Sequence, residues 1–149
     1  GGAPPPRWKT TLMSWAAIYT LVVDASLVFD ACTSVDGFRA LQGERLVAPA
    51  FMWAETASAL HERVWRGEMS RELAERALRE LDRAPIEPRA PRGLRSEAWQ
   101  IADELGWAKT YDAEYVALAR LLGCRLVTLD ARLRRGTAHL GFVIGPDEV

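Results

Sequence analysis

The sequence is short of cysteine, histidine and lysine, of net charge and of long apolar runs. Each shortage closes off a class of protein. Its 149 residues hold two cysteines, Cys32 and Cys124, far apart and outside any CxxC spacing. Neither a zinc knuckle nor a thioredoxin-type motif is encoded. Two isolated thiols in a chain of this size read as reduced core residues of a cytoplasmic protein. His61 and His139 are the only histidines, too few for a histidine-rich metal site. No GxSxG elbow accompanies them to suggest a serine hydrolase. No stretch reaches the ~18 apolar residues of a membrane-spanning helix. Leu12 to Val23 follows Arg7 and Lys9 in the manner of a signal peptide, but it lacks a small-residue cleavage pattern and runs into an aspartate. The formal net charge is only −1, from 20 acids and 19 bases. That balance argues against holding nucleic acid by bulk charge and leaves room for a local basic patch. Lys9 and Lys109 are the only lysines. The other bases are arginines, whose planar fork suits phosphate and carboxylate.

What is present suits one domain: 49% hydrophobic and 26% charged residues, with no repeat or low-complexity tract. Residues 1–17 read as an N-terminal extension or an expression remnant, and residues 18–149 as the domain. Leu21-Val22-Val23 predicts a buried strand ending at Asp24, and Ala25 to about Gln42 a helix with a break near Asp36 and Gly37. Leu46-Val47-Ala48 predicts a second strand. Pro49 opens a helix that stops at Gly67. Ser70 caps a helix with Leu73, Ala74, Ala77, Leu78 and Leu81 along one face. Pro85, Pro88 and Pro91 then leave room for a short edge strand at Ile86. Helices over Leu94–Leu105 and Asp112–Leu122 follow, then strands at Leu126–Thr128 and Phe142–Ile144. Short, continuously apolar strands alternating with helices predict an α/β fold, three layers α/β/α about a mainly parallel sheet.

Four acids stand where structure alone gives little reason for them. Asp24 ends an apolar strand. Glu55 is the only charge between Pro49 and Leu60. Asp112 opens an otherwise apolar helix, and Asp130 follows the strand Leu126-Val127-Thr128. In a parallel sheet, strand carboxyl ends and helix N-termini share one rim, where α/β proteins build sites. Each acid alone could be a helix cap or a turn residue. Glu55 resists that account best, because isolated acids seldom sit unpaired in an apolar helix. Four crowded carboxylates need protons or a cation. With only oxygen ligands on offer, the cation is hard and divalent, Mg²⁺ or Mn²⁺. Such a metal supplies an activated water and neutralises charge on a phosphodiester under attack.

Three motifs lie at these positions: VVDAS at Val22–Ser26, PAFMWAETASAL at Pro49–Leu60, and TYDAEYVALARLLGCRLVTLD at Thr110–Asp130. Their order and spacing resemble a PIN domain, and more narrowly the ribonuclease toxins of VapBC-type toxin–antitoxin pairs, over roughly Leu21 to Ile144. The resemblance implies a Mg²⁺- or Mn²⁺-dependent endoribonuclease with Asp24, Glu55, Asp112 and Asp130 as metal-site residues. Thr128 and Ser26 match supporting polar positions. It also implies an RNA substrate of the tRNA or rRNA class, a small antitoxin as partner, and a homodimer. Ser58 departs from it, standing where similar sequences often carry Asn.

Arg132, Arg134 and Arg135 follow Asp130 directly, and Arg120 precedes the same strand; these are the candidate RNA contacts. Trp107 is the candidate for base stacking, whereas Trp53, Trp65 and Trp99 read as core or dimer contacts. The rival readings are an RNA-processing PIN nuclease without an antitoxin and a catalytically silent PIN-like binding module. A haloacid-dehalogenase-type phosphatase would want an aspartate two residues after Asp24, where Ser26 stands.

Overall fold

The computed structural model describes residues 19–149. The expected extension at 1–17, and the signal-peptide-like stretch before Tyr19, lie outside the described residues. Five strands form one sheet: β1 (Thr20–Val23), β2 (Arg45–Ala48), β3 (Ile86–Pro88), β4 (Arg125–Val127) and β5 (Val143–Ile144). Every pairing is parallel, and the spatial order is β3-β2-β1-β4-β5. Leu21, Val22 and Val23 of the central strand are wholly buried. Their unbroken apolar run is what a strand covered on both faces requires.

Six α-helices complete the three layers among the described residues: α1 (Ala25–Thr33), α2 (Phe51–Trp65), α3 (Arg71–Asp82), α4 (Leu94–Leu105), α5 (Tyr111–Leu122) and α6 (Ala131–Thr137). α1, α2 and α3 pack on one another, α4 packs on α5, and α5 lies across β1 and β4. The α5 sequence is built for close approach. Ala113, Ala117 and Ala119 are fully buried, beside Val116 and Leu118. Gly123 takes a φ of 65° after the last turn, a conformation glycine adopts without strain. The chain therefore enters β4 with only Cys124 between. Cys32 and Cys124 are free and buried. Burial pushes their thiols up to about 11 and about 12, which leaves them protonated and inert.

Two expectations need correction. The first helix ends at Thr33 instead of running on to Gln42, and a 3₁₀ turn occupies Arg39–Leu41. Thr33 Oγ1 donates to the Phe29 carbonyl at 2.8 Å, and Ser34 Oγ accepts from the Gly37 N–H at 3.3 Å. Such local bonds compete with helix continuation. α6 was not anticipated, since ARLRRGT buries only Leu133 and Thr137 and shows little apolar periodicity. Of the tryptophans assigned to core or dimer contacts, Trp53 packs against the core, and Trp65 and Trp99, 84% and 65% exposed, lie outside it.

Ala117 tests how tightly α5 is seated. Ala117→Leu adds bulk at a fully buried position of α5 and is expected to cost about 1–3 kcal/mol, read as a lower urea midpoint with an unchanged slope. An unchanged midpoint would mean that the packing around α5 is loose.

Candidate active site

The chain places β2 and β3 on one side of β1, then crosses to lay β4 on the other. This reversal of strand order opens a crevice beyond the carboxyl ends of β1 and β4, the usual ligand position in an open α/β sheet. Val23 pairs with Val127, so the chain leaves the two strands side by side. Asp24 follows one and Thr128-Leu129-Asp130 the other.

Asp24 is only 5% exposed. Its Oδ1 accepts from the Leu27 N–H at 3.0 Å, capping α1, and from Ser26 Oγ at 2.7 Å. Its Oδ2 accepts from Thr128 Oγ1. Thr128 Oγ1 in turn accepts from the Asp130 N–H at 3.0 Å, and Ser26 Oγ from the Leu129 N–H at 3.1 Å. The two hydroxyls thus fasten the segment after β4 to the aspartate after β1. Burial raises the Asp24 carboxyl to about 6; its three hydrogen bonds oppose the rise, and the Asp130 charge adds to it.

At Asp130 this network borders a cavity of about 620 Å³, lined among others by Glu55, Trp107, Lys109, Tyr111, Asp112, Asp130 and Arg132. Glu55 reaches it from the second turn of α2, and Asp112 from the first turn of α5. Asp130 caps α6, its Oδ1 accepting from the N–H groups of Arg132 at 2.9 Å and Leu133 at 3.2 Å. Partial burial raises the Glu55 carboxyl, Tyr115 opposes this by a hydrogen bond, and the Asp112 charge adds to it. Asp112 is raised by lost hydration and by Asp130, with Arg132 opposing. The carboxylates thus form a chain of mutual repulsion, from Asp24 through Asp130 and Asp112 to Glu55.

The sheet rim therefore gathers all four predicted acids, but in two positions. Three line the cavity, and Asp24 is buried outside that lining, joined to the Asp130 segment through Thr128. Among the described residues, no group of three or more His, Cys, Asp or Glu side chains is arranged to hold a metal ion directly.

The basic candidates separate. Arg132 alone lines the acid cavity. Arg134 pairs with Glu148, and Arg134 and Arg135 line a different cavity. Arg120 binds Glu97 at 2.8 Å across α4 and α5, eight residues and roughly 12 Å along the helix from Asp112. Trp107 lines the acid cavity, while Ser58 is exposed on α2.

Tyr115 escaped the sequence reading. It is 1% exposed, and its hydroxyl donates to Glu55 Oε1 at 2.7 Å. The available signal was a phenol three residues after Asp112, on the apolar face of the same helix.

Comparison with known proteins gives a consistent result. Residues 21–138 match the PIN domain. The chain is 37% identical over 128 residues to VapC ribonuclease Mb0985 of Mycobacterium bovis, covering 85% of this chain and 98% of that protein. Ribonuclease VapC9 of Mycobacterium tuberculosis matches with the same figures. Ribonuclease VapC1 of the same species is 38% identical over 122 residues, 75% of this chain and 86% of that one. The crystal structure of PAE2754 from Pyrobaculum aerophilum superposes with a TM-score of 0.70 at 24% identity, over 90% of this chain and 93% of that chain. At that identity the likeness concerns the fold.

The buried Asp24 makes a stability prediction. Its pKa is near 6 in the fold against an ordinary 3.8, so the folded chain binds the extra proton between those values. Stability is then lost as pH rises through that window, by on the order of 2–3 kcal/mol. Asp24→Asn keeps the Oδ1 cap and removes the charge. In chelator at pH 7.5 the variant should melt above the wild type, and the gap should close by about pH 4. A variant that melts below the wild type at pH 7.5 would contradict this account.

Proposed function

The chain belongs to the PIN-domain family as a ribonuclease of the VapC type, and on that premise we propose that Asp24, Glu55, Asp112 and Asp130 form its metal-dependent phosphodiesterase centre. One observation carries the assignment: three of these acids open on a single cavity at the strand switch point, and the fourth is tied through Thr128 to the segment that carries Asp130. PIN ribonucleases as a class depend on divalent metal, and the residues here fit one. All the donors are oxygens. The cavity has room for a hydrated ion beside a phosphate. The repulsion running through the carboxylates is what a cation relieves. Mg²⁺ commonly uses one or two carboxylates and keeps its waters, so the separation of the acids is compatible with it. Mg²⁺ or Mn²⁺, when bound, supplies charge neutralisation and an acidified water.

The chain's own groups do the rest. Asp112, Asp130 and Glu55 present anionic oxygens to the cavity. Asp24 adds negative charge and holds the segment after β4 through Thr128. Arg132 faces the same space and offers a fork to a phosphate oxygen. Trp107 and Tyr111 flank it with aromatic surface on which an unpaired base can stack. The substrate is RNA, with tRNA or rRNA the class that the family resemblance implies. The partner is a small antitoxin, the protein being the toxin of a two-component pair and working as a homodimer. Exposed Trp65 and Trp99 provide apolar surface for such contacts.

Asp112→Asn or Glu55→Gln should lower cleavage of RNA in Mg²⁺ or Mn²⁺ by on the order of 100-fold or more, with melting temperatures held. Mapping RNA ends after induction of the wild type and of Asp24→Asn tests activity and target together. Sites enriched only with the wild type are expected. Equal cleavage by the variants would overturn the assignment.

A further inference from the structure

Glu55 is the acid with the longest side chain and the greatest freedom, and the structure shows what restrains it. On α2, Phe51 lies four residues before Glu55 and so on the same face. On α5, Tyr115 lies four residues after Tyr111 and three after Asp112, within reach of both by the same rule. The two faces meet. The Phe51 ring meets Tyr115 edge-on at 5.2 Å and 71°, and Tyr111 at 5.7 Å and 67°. Beside these ring contacts the Tyr115 hydroxyl donates to Glu55 Oε1 at 2.7 Å.

That bond joins α5, the helix that carries Asp112, to the Glu55 carboxylate on α2. The ring is seated by Phe51 and by the core, where Tyr115 is among the largest fully buried side chains. Packing alone would be served by phenylalanine, and burying a hydroxyl is unfavourable unless it is paired.

We infer that Tyr115 is a positioning residue, whose hydroxyl locks the Glu55 carboxylate in the cavity and ties it to α5, the helix that carries Asp112. This rests on the reading of Glu55 as part of the metal centre. Tyr115 touches neither substrate nor metal; it acts through Glu55. One hydroxyl thus fixes the spacing between two of the four acids, which come from separate helices. Partners of this kind, one bond removed from a metal site, are typically worth 10–100-fold in affinity or activity.

The test uses the full chain as wild type, Tyr115→Phe, Glu55→Gln and the double variant. Mn²⁺ is titrated into the metal-free protein by calorimetry, and melting and RNA cleavage are measured alongside. Tyr115→Phe should melt close to the wild type, bind Mn²⁺ about 10-fold or more weakly, and lower kcat with little change in KM. Added to Glu55→Gln, it should cause no further loss of Mn²⁺ affinity or residual cleavage. Unchanged Mn²⁺ affinity in Tyr115→Phe overturns the proposal, as does a full additional loss in the double variant. If Glu55→Gln itself binds Mn²⁺ and cleaves like the wild type, the metal-centre reading of Glu55 fails first. If Glu55→Gln is impaired and Tyr115→Phe is not, only the role of Tyr115 fails.

Discussion

The register of β1 against β4, with Val22 opposite Leu126 and Val23 opposite Val127, decides where two strand ends release their chains. Because the strands are parallel and level, Asp24 and Thr128 emerge as neighbours. The hydroxyl of one can then reach the carboxylate of the other. A shift of one residue in a paired strand would turn every side chain to the opposite face. It would also separate Asp24 from the segment that leads to Asp130. The wholly buried valines and leucines of these strands hold that register, so the centre depends on apolar residues that never touch it.

Helix ends supply the second constraint. Asp24 caps α1 and Asp130 caps α6, while Asp112 stands in the first turn of α5. Each carboxylate therefore rests against backbone N–H groups or the positive end of a helix. That support lets like charges gather at one rim although, among the described residues, only Arg132 and Lys109 bring opposite charge to the cavity lining. It does not remove the repulsion, which remains in the raised carboxyls of Asp24, Glu55 and Asp112. The fold tolerates a locally unfavourable charge arrangement because a large buried core surrounds it.

Much of this was legible in the sequence because burial leaves plain marks. Leu21-Val22-Val23 and Leu126-Val127 could be little else than interior strands. An acid directly after such a run stands out. Glu55 was visible for the same reason, although α2 turns out to be apolar more in composition than in burial, with Ala54 and Ser58 exposed. The arginines were less legible. Arg132, Arg134 and Arg135 are near neighbours in sequence, yet the turn of α6 sends one to the acid cavity and two to another. Arg120 is drawn to Glu97 by a helix pairing that no local pattern announces. Tyr115 was hidden in a different way. A tyrosine on a buried helical face looks like core, and only the position of a partner sixty residues away in the chain gives its hydroxyl a purpose.

The two outer strands of the sheet, β3 and β5, are three and two residues long, and β3 closes on Pro88. Open sheet edges are templates for adding strands from other chains, and short edges carrying proline are poor templates. The described sheet thus ends in borders that resist extension. Short borders of this kind limit the aggregation that long, exposed strand edges invite.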